Sequence, residues 1–127
     1  MSKKQRNKSI LINNLNKNAF PSAKIIKIRV SLKKINPLIK LIRGKSVNTA
    51  KNIISAQYKR SKEILIKLID SASFNALRKG FNIKDLYINN IFANSGGIKY
   101  KLLTRSQGRA NRIRRRFSNV YISLGVL

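Results

Sequence analysis

Between residues 24 and 30 the chain alternates apolar and basic positions. Ile26, Ile28 and Val30 fall on one side of an extended backbone, and basic residues fall on the other side. β-Branched residues with a two-residue period are typical of a strand that has one buried face. The pattern predicts a strand over 24–30 whose isoleucine and valine side faces the core.

The period then changes to that of a helix. Apolar residues recur three or four positions apart at Ile35, Leu38, Ile39 and Ile42. Ser31 can cap the N-terminus of this helix, and Gly44 can end it. Pro37 lies inside the stretch and lacks the backbone N–H that a helix interior needs. Two alternatives stay open: a helix that kinks at Pro37, or a helix that begins near Asn36.

Two further helices are predicted from the same spacing. The first is short, is capped by Ser46 and runs to about Ala56, and its apolar positions are Val47, Ala50, Ile53 and Ile54. The second covers 59–79 and ends at Gly80, and its apolar positions are Leu65, Leu68, Ile69, Ala72 and Ala76. Phe74, Leu77 and Phe81 are interpreted as further core positions and not as a platform for stacking bases.

Two strand-like runs, 86–93 and 119–124, enclose a long basic stretch near the C-terminus. Val120, Ile122 and Leu124 alternate on the returning run, and Ser95, Gly96 and Gly97 permit a bulge on the outgoing one. The pattern predicts a hairpin over about 86–126 that reaches roughly 30 Å beyond the core. The fold class is therefore α+β, with three helices packed on a small antiparallel sheet and a long protruding β-hairpin. Residues 1–23 form a basic N-terminal extension, and 24–127 form a single domain.

The composition excludes most kinds of catalytic site. The chain has 29 Lys and Arg residues against three Asp and Glu, a formal net charge of +26, and neither Cys nor His. A disulfide framework, a cysteine or histidine zinc site, a thiol nucleophile and an imidazole base are therefore excluded. Glu63 and Asp70 are interpreted as ion-pair partners of lysines on their own helix. We expect no enzymatic activity, no metal and no cofactor.

The charge instead predicts a polyanionic partner. Lys and Arg side chains that neutralise phosphates release condensed counterions, and this release drives association with nucleic acid. No run of about 18 apolar residues is present, which argues against membrane insertion. A DNA-compacting nucleoid protein stays open as the alternative, since charge alone would permit it.

Three segments resemble the bacterial-type large-subunit ribosomal protein 22 family. They are RVS at 29–31, LIRGKSV at 41–47 and, above all, QGRANRIRRR at 107–116. The chain departs from the family pattern at Leu32 and Thr104, where the family usually has proline, and at Pro37. The resemblance implies an α+β domain on the large ribosomal subunit near the peptide exit, with the hairpin threading ribosomal RNA to line the nascent-peptide tunnel.

The resemblance and the basic positions together predict the site residues. The predicted RNA-binding residues are Arg29, Lys33, Lys34, Arg43, Lys45, Lys99, Lys101, Arg105, Gln107, Gly108, Arg109, Asn111, Arg112, Arg114, Arg115 and Arg116. The resemblance places the tunnel-facing tip at Leu102, Leu103, Thr104, Arg105, Ser106, Gln107, Gly108, Arg109 and Ala110. Arginine suits phosphate contact because its planar fork can bind bidentately and also stack on bases.

The implied partners are large-subunit ribosomal RNA, neighbouring large-subunit proteins and the nascent peptide, and no homo-oligomer is expected. Heavy use of Asn and Ile, with Lys exceeding Arg outside the hairpin, indicates an AT-rich genome. We therefore expect the ribosome of a plastid or another organelle, with a mitochondrion or a bacterial cytoplasm as alternatives. The N-terminal extension is expected to act as a basic arm that becomes ordered on RNA.

Overall fold

A computed structural model describes residues 20–126, in which a three-stranded antiparallel sheet packs against three helices. The elements in chain order are β1 (Ser22–Ile28), α1 (Leu32–Ile42), α2 (Val47–Ser55), α3 (Lys62–Arg78), β2 (Leu86–Thr104) and β3 (Ala110–Val126), with short 3-10 helices at Ile83–Asp85 and Ser106–Gly108. The strand order is β1-β3-β2. The predicted α+β class with a long hairpin is confirmed. Of the predicted extension, residues 1–19 lie outside the described residues.

The first strand differs from its prediction in which side chains face inward. A β-bulge interrupts its pairing with β3 between Ile25 and Ile28, and Lys27 there adopts a φ of 55°. The bulge reverses the facing of the strand, so Ile28 is buried while Ile26 is 58% exposed. The inward placement of Ile26 was therefore wrong, whereas Val30 packs partly buried against the core.

Helix α1 begins at Leu32 and runs through Pro37, so a start near Asn36 was wrong. Its predicted apolar positions are all buried, and Gly44 follows its end with a φ of 73°. Pro37 and Lys33 lie one turn apart on the exposed side of the helix. Water can therefore reach the Lys33 carbonyl that the missing N–H of Pro37 leaves unpaired, which reduces the cost of the proline.

The other two helices follow their predicted spacing. The Ser46 hydroxyl accepts a hydrogen bond from the Thr49 backbone N–H at 3.3 Å, which confirms the cap of α2. Helix α3 begins at Lys62, later than predicted, and its five predicted core positions are buried. Phe74 is 65% exposed and Leu77 is also exposed, so their core placement was wrong. At 3.6 residues per turn, Phe74 lies on the side of α3 opposite the buried stripe.

Asp70 does not pair within its own helix as predicted. Its carboxylate lies 2.5 Å from the Lys51 Nζ of α2 and so joins two neighbouring helices. Glu63 is exposed and forms no ion pair with any other described residue. The Asp70 prediction was wrong because spacing along one helix cannot show which second helix packs beside it.

The hairpin divides into a buried half and an exposed half. Val120, Ile122 and Leu124 are buried against the helices, as their alternation predicts. The pairing of β2 with β3 shifts register between Ser95 and Gly97, which confirms the predicted bulge. Beyond this bulge every residue from 97 to 114 is exposed. Eight residues of β2, from 97 to 104, carry the tip roughly 26 Å beyond that level.

Candidate nucleic-acid interface

The exposed part of the hairpin carries two chemically different faces. Residues paired across antiparallel strands share a face, and successive pairs alternate between the faces. The pairs on one face, called here the arginine face, are Ile98 with Arg116, Tyr100 with Arg114 and Leu102 with Arg112. The pairs on the other, called here the lysine face, are Lys99 with Arg115, Lys101 with Ile113 and Leu103 with Asn111.

The arginine face sets a row of cations beside a row of apolar side chains. Arg112, Arg114 and Arg116 are all exposed, and Tyr100 and Leu102 beside them are 58% and 65% exposed. Same-face neighbours on a strand are about 6.6 Å apart, so two unit charges repel by about 0.6 kcal/mol in water. No Asp or Glu occurs anywhere in residues 86–127 to offset this repulsion. An external anion is therefore the group that can neutralise the row.

On the lysine face, one lysine lies over an aromatic ring that the sequence did not indicate as a site residue. Lys99 Nζ lies 5.8 Å from the centroid of the half-buried Phe117 ring. A cation over an aromatic face gains about 0.5–1 kcal/mol at an exposed site. The sequence could not indicate this contact, because whether Lys99 and Phe117 share a face depends on the pairing register between β2 and β3.

The tip closes through a short 3-10 turn over Ser106–Gly108. The Arg105 backbone N–H donates to the Arg109 carbonyl at 2.7 Å, just inside the last paired residues, Thr104 and Ala110. Gln107 and Gly108 adopt φ values of 61° and 68°. Gly108 takes this left-handed conformation without a side-chain clash, whereas a residue with a Cβ takes it at a cost of roughly 1–2 kcal/mol. The predicted tip residues, 102–110, are all exposed.

The globular part contributes a second group of cations. They line a cleft of about 690 Å³, called here the basal cleft, where the start of α1, the loop before α3 and the root of β3 meet. Its cationic residues are Arg29, Lys33, Lys34, Lys59, Arg60, Arg114, Arg115 and Arg116. Three of the predicted globular residues, Arg29, Lys33 and Lys34, are thus brought beside three of the predicted hairpin arginines.

Arg43 and Lys45 do not join this cleft. The Arg43 Nη2 donates to the Ile91 carbonyl at 2.8 Å and ties the end of α1 to β2. The Lys45 carbonyl accepts from the Ile88 backbone N–H at 2.9 Å, and the Lys45 residue is exposed. Both stay predicted RNA-binding residues, but the structure gives Arg43 a structural contact as well.

Lys59, Arg60 and Ser61 line the cleft although the sequence did not indicate them as site residues. The basic pair was visible immediately before the longest predicted helix, but Lys59 was interpreted as an ion-pair partner of Glu63. Only the packing of the α2–α3 loop beside the hairpin root shows that these residues share a cleft with Arg29 and Arg114.

In residues 20–126, no cluster of three or more His, Cys, Asp or Glu could hold a metal ion. In the same part of the chain, no helix has the length and apolarity needed to cross a lipid bilayer.

Comparison with known proteins identifies the family. A sequence model of the family described as ribosomal protein L22p/L17e matches residues 23–125. A large ribosomal subunit protein uL22 from a Sulfurihydrogenibium species is 43% identical over 72% of this chain and 78% of its own length. The uL22 of Agathobacter rectalis is 36% identical over 98% of each chain, and that of Thermus thermophilus is 33% identical over 77% of this chain and 88% of its own.

These relatives are bacterial, so the organellar source stays a prediction. The resemblance drawn from QGRANRIRRR is confirmed by a match that covers almost all of the described residues. The match covers most of the chain, and the basic α+β domain with its exposed hairpin agrees with it. The chain therefore belongs to the ribosomal protein L22p/L17e family, whose members are structural proteins of the ribosome and not enzymes.

Proposed function

We propose that this chain binds large-subunit ribosomal RNA, supports assembly of the subunit, and lines the nascent-peptide exit tunnel with its hairpin tip. The observation that carries the proposal is the hairpin beyond the Ser95–Gly97 bulge. It is exposed on both faces, contains no acidic residue and holds three arginines, Arg112, Arg114 and Arg116, in one row. In the free protein the side chains of this projection are exposed and its cations repel one another. A polyanionic partner would remove this repulsion.

The alternating faces supply the binding chemistry. On the arginine face, Arg112, Arg114 and Arg116 can bind phosphates bidentately, and the exposed Tyr100 ring beside them can stack on an unpaired base. On the lysine face, Lys99 and Lys101 act as flexible point charges. Phosphate contacts fix position and orientation without reading sequence, so shape recognition is expected to dominate over base readout.

A two-stranded ribbon is also thin enough to pass between RNA helices. Neighbouring strands are about 4.8 Å apart, so the hairpin presents all of residues 97–114 to its surroundings. The tip at 102–110 would then lie furthest from the globular part, where the resemblance places the tunnel wall and the nascent peptide. The exposed Phe74 and Leu77 on α3 are available for neighbouring large-subunit proteins.

A nucleoid-type DNA-binding function is the alternative, supported by charge alone. A projecting β-ribbon can also enter a DNA groove, so the shape of the hairpin does not separate the two functions and cross-linking is needed to do so. The organellar source, a plastid or another organelle with an AT-rich genome, likewise rests only on residue usage and belongs to the same proposal.

The experiment uses the absence of cysteine from the chain. A Ser106→Cys variant carries its single thiol at the tip, and an Asn82→Cys variant carries one on the globular part. Each is expressed in the source cells, labelled with a photo-activated cross-linker on ribosomes that hold a radiolabelled nascent peptide, and separated on a gradient.

Both variants are expected to sediment with large subunits, and both thiols should cross-link to large-subunit ribosomal RNA. Only position 106 should cross-link to the nascent peptide. Recovery of the protein with genomic DNA would support the alternative, while equal nascent-peptide labelling from both positions would refute the tip's role in the tunnel.

A further inference from the structure

The basal cleft contains a mostly buried polar residue whose side chain has no hydrogen-bond partner among the described residues. Ser61 is 4% exposed and lines the cleft immediately before α3. Its hydroxyl forms no helix-capping bond and has no other hydrogen-bond partner among the described residues. The hydroxyl can therefore bind a group from outside the protein in place of water.

The hydroxyl also remains open to solvent. Every fully buried side-chain nitrogen or oxygen of residues 20–126 has a hydrogen-bond partner. Because the Ser61 hydroxyl has none, its oxygen must still reach solvent, and the solvent beside Ser61 is the basal cleft. The hydroxyl is thus available to a molecule that enters the cleft.

Two helices also begin at this cleft. Ser31 precedes α1 and Ser61 precedes α3, and neither side chain caps its helix. The first turn of a helix leaves backbone N–H groups unpaired and carries a partial positive charge, so it favours an anion. Lys33 and Lys34 add full positive charges in the first turn of α1. Glu63 is the acidic residue in the first turn of α3, and it does not line the cleft.

The hairpin forms the remaining wall. Arg114, Arg115 and Arg116 enter the cleft from the root of β3. A smaller groove of about 230 Å³ continues from it, where Ser31 and Lys33 lie beside Ser95 and Ile98 at the bulge of β2. Cations from three separate segments therefore face one space, and in the free protein they repel one another.

We propose that the basal cleft is a phosphate-binding site for the RNA backbone, separate from the hairpin tip, in which Ser61, Lys59, Arg60 and Arg114 hold phosphates between the globular part and the hairpin. This inference rests on the proposed function, because its ligand is RNA. Phosphates bound here would contact both walls and so set the direction in which the hairpin leaves the domain. The size of the cleft fits more than one phosphate group, as a continuous strand requires.

The test compares matched charge changes in the full chain. A Lys59→Gln/Arg60→Gln variant removes two cations from the cleft, and a Lys67→Gln/Lys84→Gln control removes two exposed cations that do not line the cleft. Binding to a transcript of the source organism's large-subunit ribosomal RNA is measured by filter retention at several salt concentrations. The slope of log K against log salt should fall by about 1.4 for the cleft variant and change little for the control.

Ser61 gives a test that leaves the net charge unchanged. Ser61→Ala removes the unpaired hydroxyl and should lower affinity about tenfold, the value of a hydrogen bond to a charged group. Ser71→Ala, an exposed position on the same helix, should change affinity less than about twofold. Thermal unfolding of each variant establishes that it is folded.

Whether the cleft and the tip contact different parts of the RNA is tested with an RNA-cleaving reagent attached to a single cysteine. A Tyr58→Cys thiol beside the cleft and a Ser106→Cys thiol at the tip should direct cleavage at different nucleotides. An equal fall of the salt slope in the two charge variants, or an unchanged RNA affinity in Ser61→Ala, would overturn the inference while leaving the proposed function intact. Failure of the unsubstituted chain to prefer this transcript over duplex DNA would instead count against the proposed function.

Discussion

Replacing Arg112, Arg114 and Arg116 with Gln should remove the arginine face from RNA binding without unfolding the protein. All three side chains are exposed and share one face of the hairpin, each opposite an apolar residue of β2. In residues 20–126 none of them forms an ion pair or a side-chain hydrogen bond. The change therefore deletes three cations and leaves the buried half of the sheet untouched.

The size of the effect follows from counterion release. Each phosphate contact contributes about 0.7–0.9 to the slope of log K against log salt. Loss of three contacts should lower that slope by about 2–3 and weaken binding at 0.1 M salt by about 100-fold or more. A 100-fold loss corresponds to about 3 kcal/mol. The midpoint of thermal unfolding should stay the same or rise slightly, because about 0.6 kcal/mol of repulsion per neighbouring pair disappears.

The assay is filter retention of a labelled large-subunit ribosomal RNA transcript across a salt series. A Lys40→Gln/Lys67→Gln/Lys84→Gln variant serves as the control, since it removes the same charge from exposed positions on the globular part. If binding responded only to net charge, both triple variants would lose affinity equally, and the reasoning from the arginine face would be refuted. A large fall in thermal stability of the hairpin variant alone would also contradict it.

Three further predictions concern the stability of the domain and are measured by thermal or urea unfolding. Gly125→Ala should destabilise by about 1–3 kcal/mol, since an added methyl would lie 2.6 Å from the Tyr87 ring, and an unchanged midpoint would show that the ring can move. Leu68→Ala should cost about 2–5 kcal/mol because the side chain is buried, and a loss below 1 kcal/mol would contradict its place in the core. Lys51→Gln should cost less than about 1 kcal/mol, since its ion pair with Asp70 is partly exposed, and a loss above about 2 kcal/mol would refute this estimate.

The errors of the sequence analysis share one physical origin. Ile26 was placed inward because strict alternation assumes an unbroken strand, and the bulge after Ile25 arises from pairing with β3, a segment almost a hundred residues later. The Lys27 backbone N–H is held there by the Asn119 side chain at 2.8 Å. Phe74 was placed in the core because it is apolar. Apolar character alone does not show how wide a face of α3 the neighbouring elements cover.

Patterns along the chain are enough to predict the helices, the strands and the chemical class of the partner. Helical periods, the Ser46 cap and the alternation on β3 are local patterns, and local backbone geometry follows from them. The net charge and the absence of Cys and His excluded most enzymes without reference to any fold. The motif at 107–116 identified the family, because its residues are contiguous in the chain.

Which distant residues share a site depends on how the helices and strands pack together. Lys59 and Arg60, Arg29 and Arg114 are far apart in sequence, and they face one cleft because α1, the α2–α3 loop and the root of the hairpin pack together. The division of the hairpin into an arginine face and a lysine face likewise depends on the register between β2 and β3. Register and packing are set by contacts between segments, and a pattern read along a single segment does not contain them.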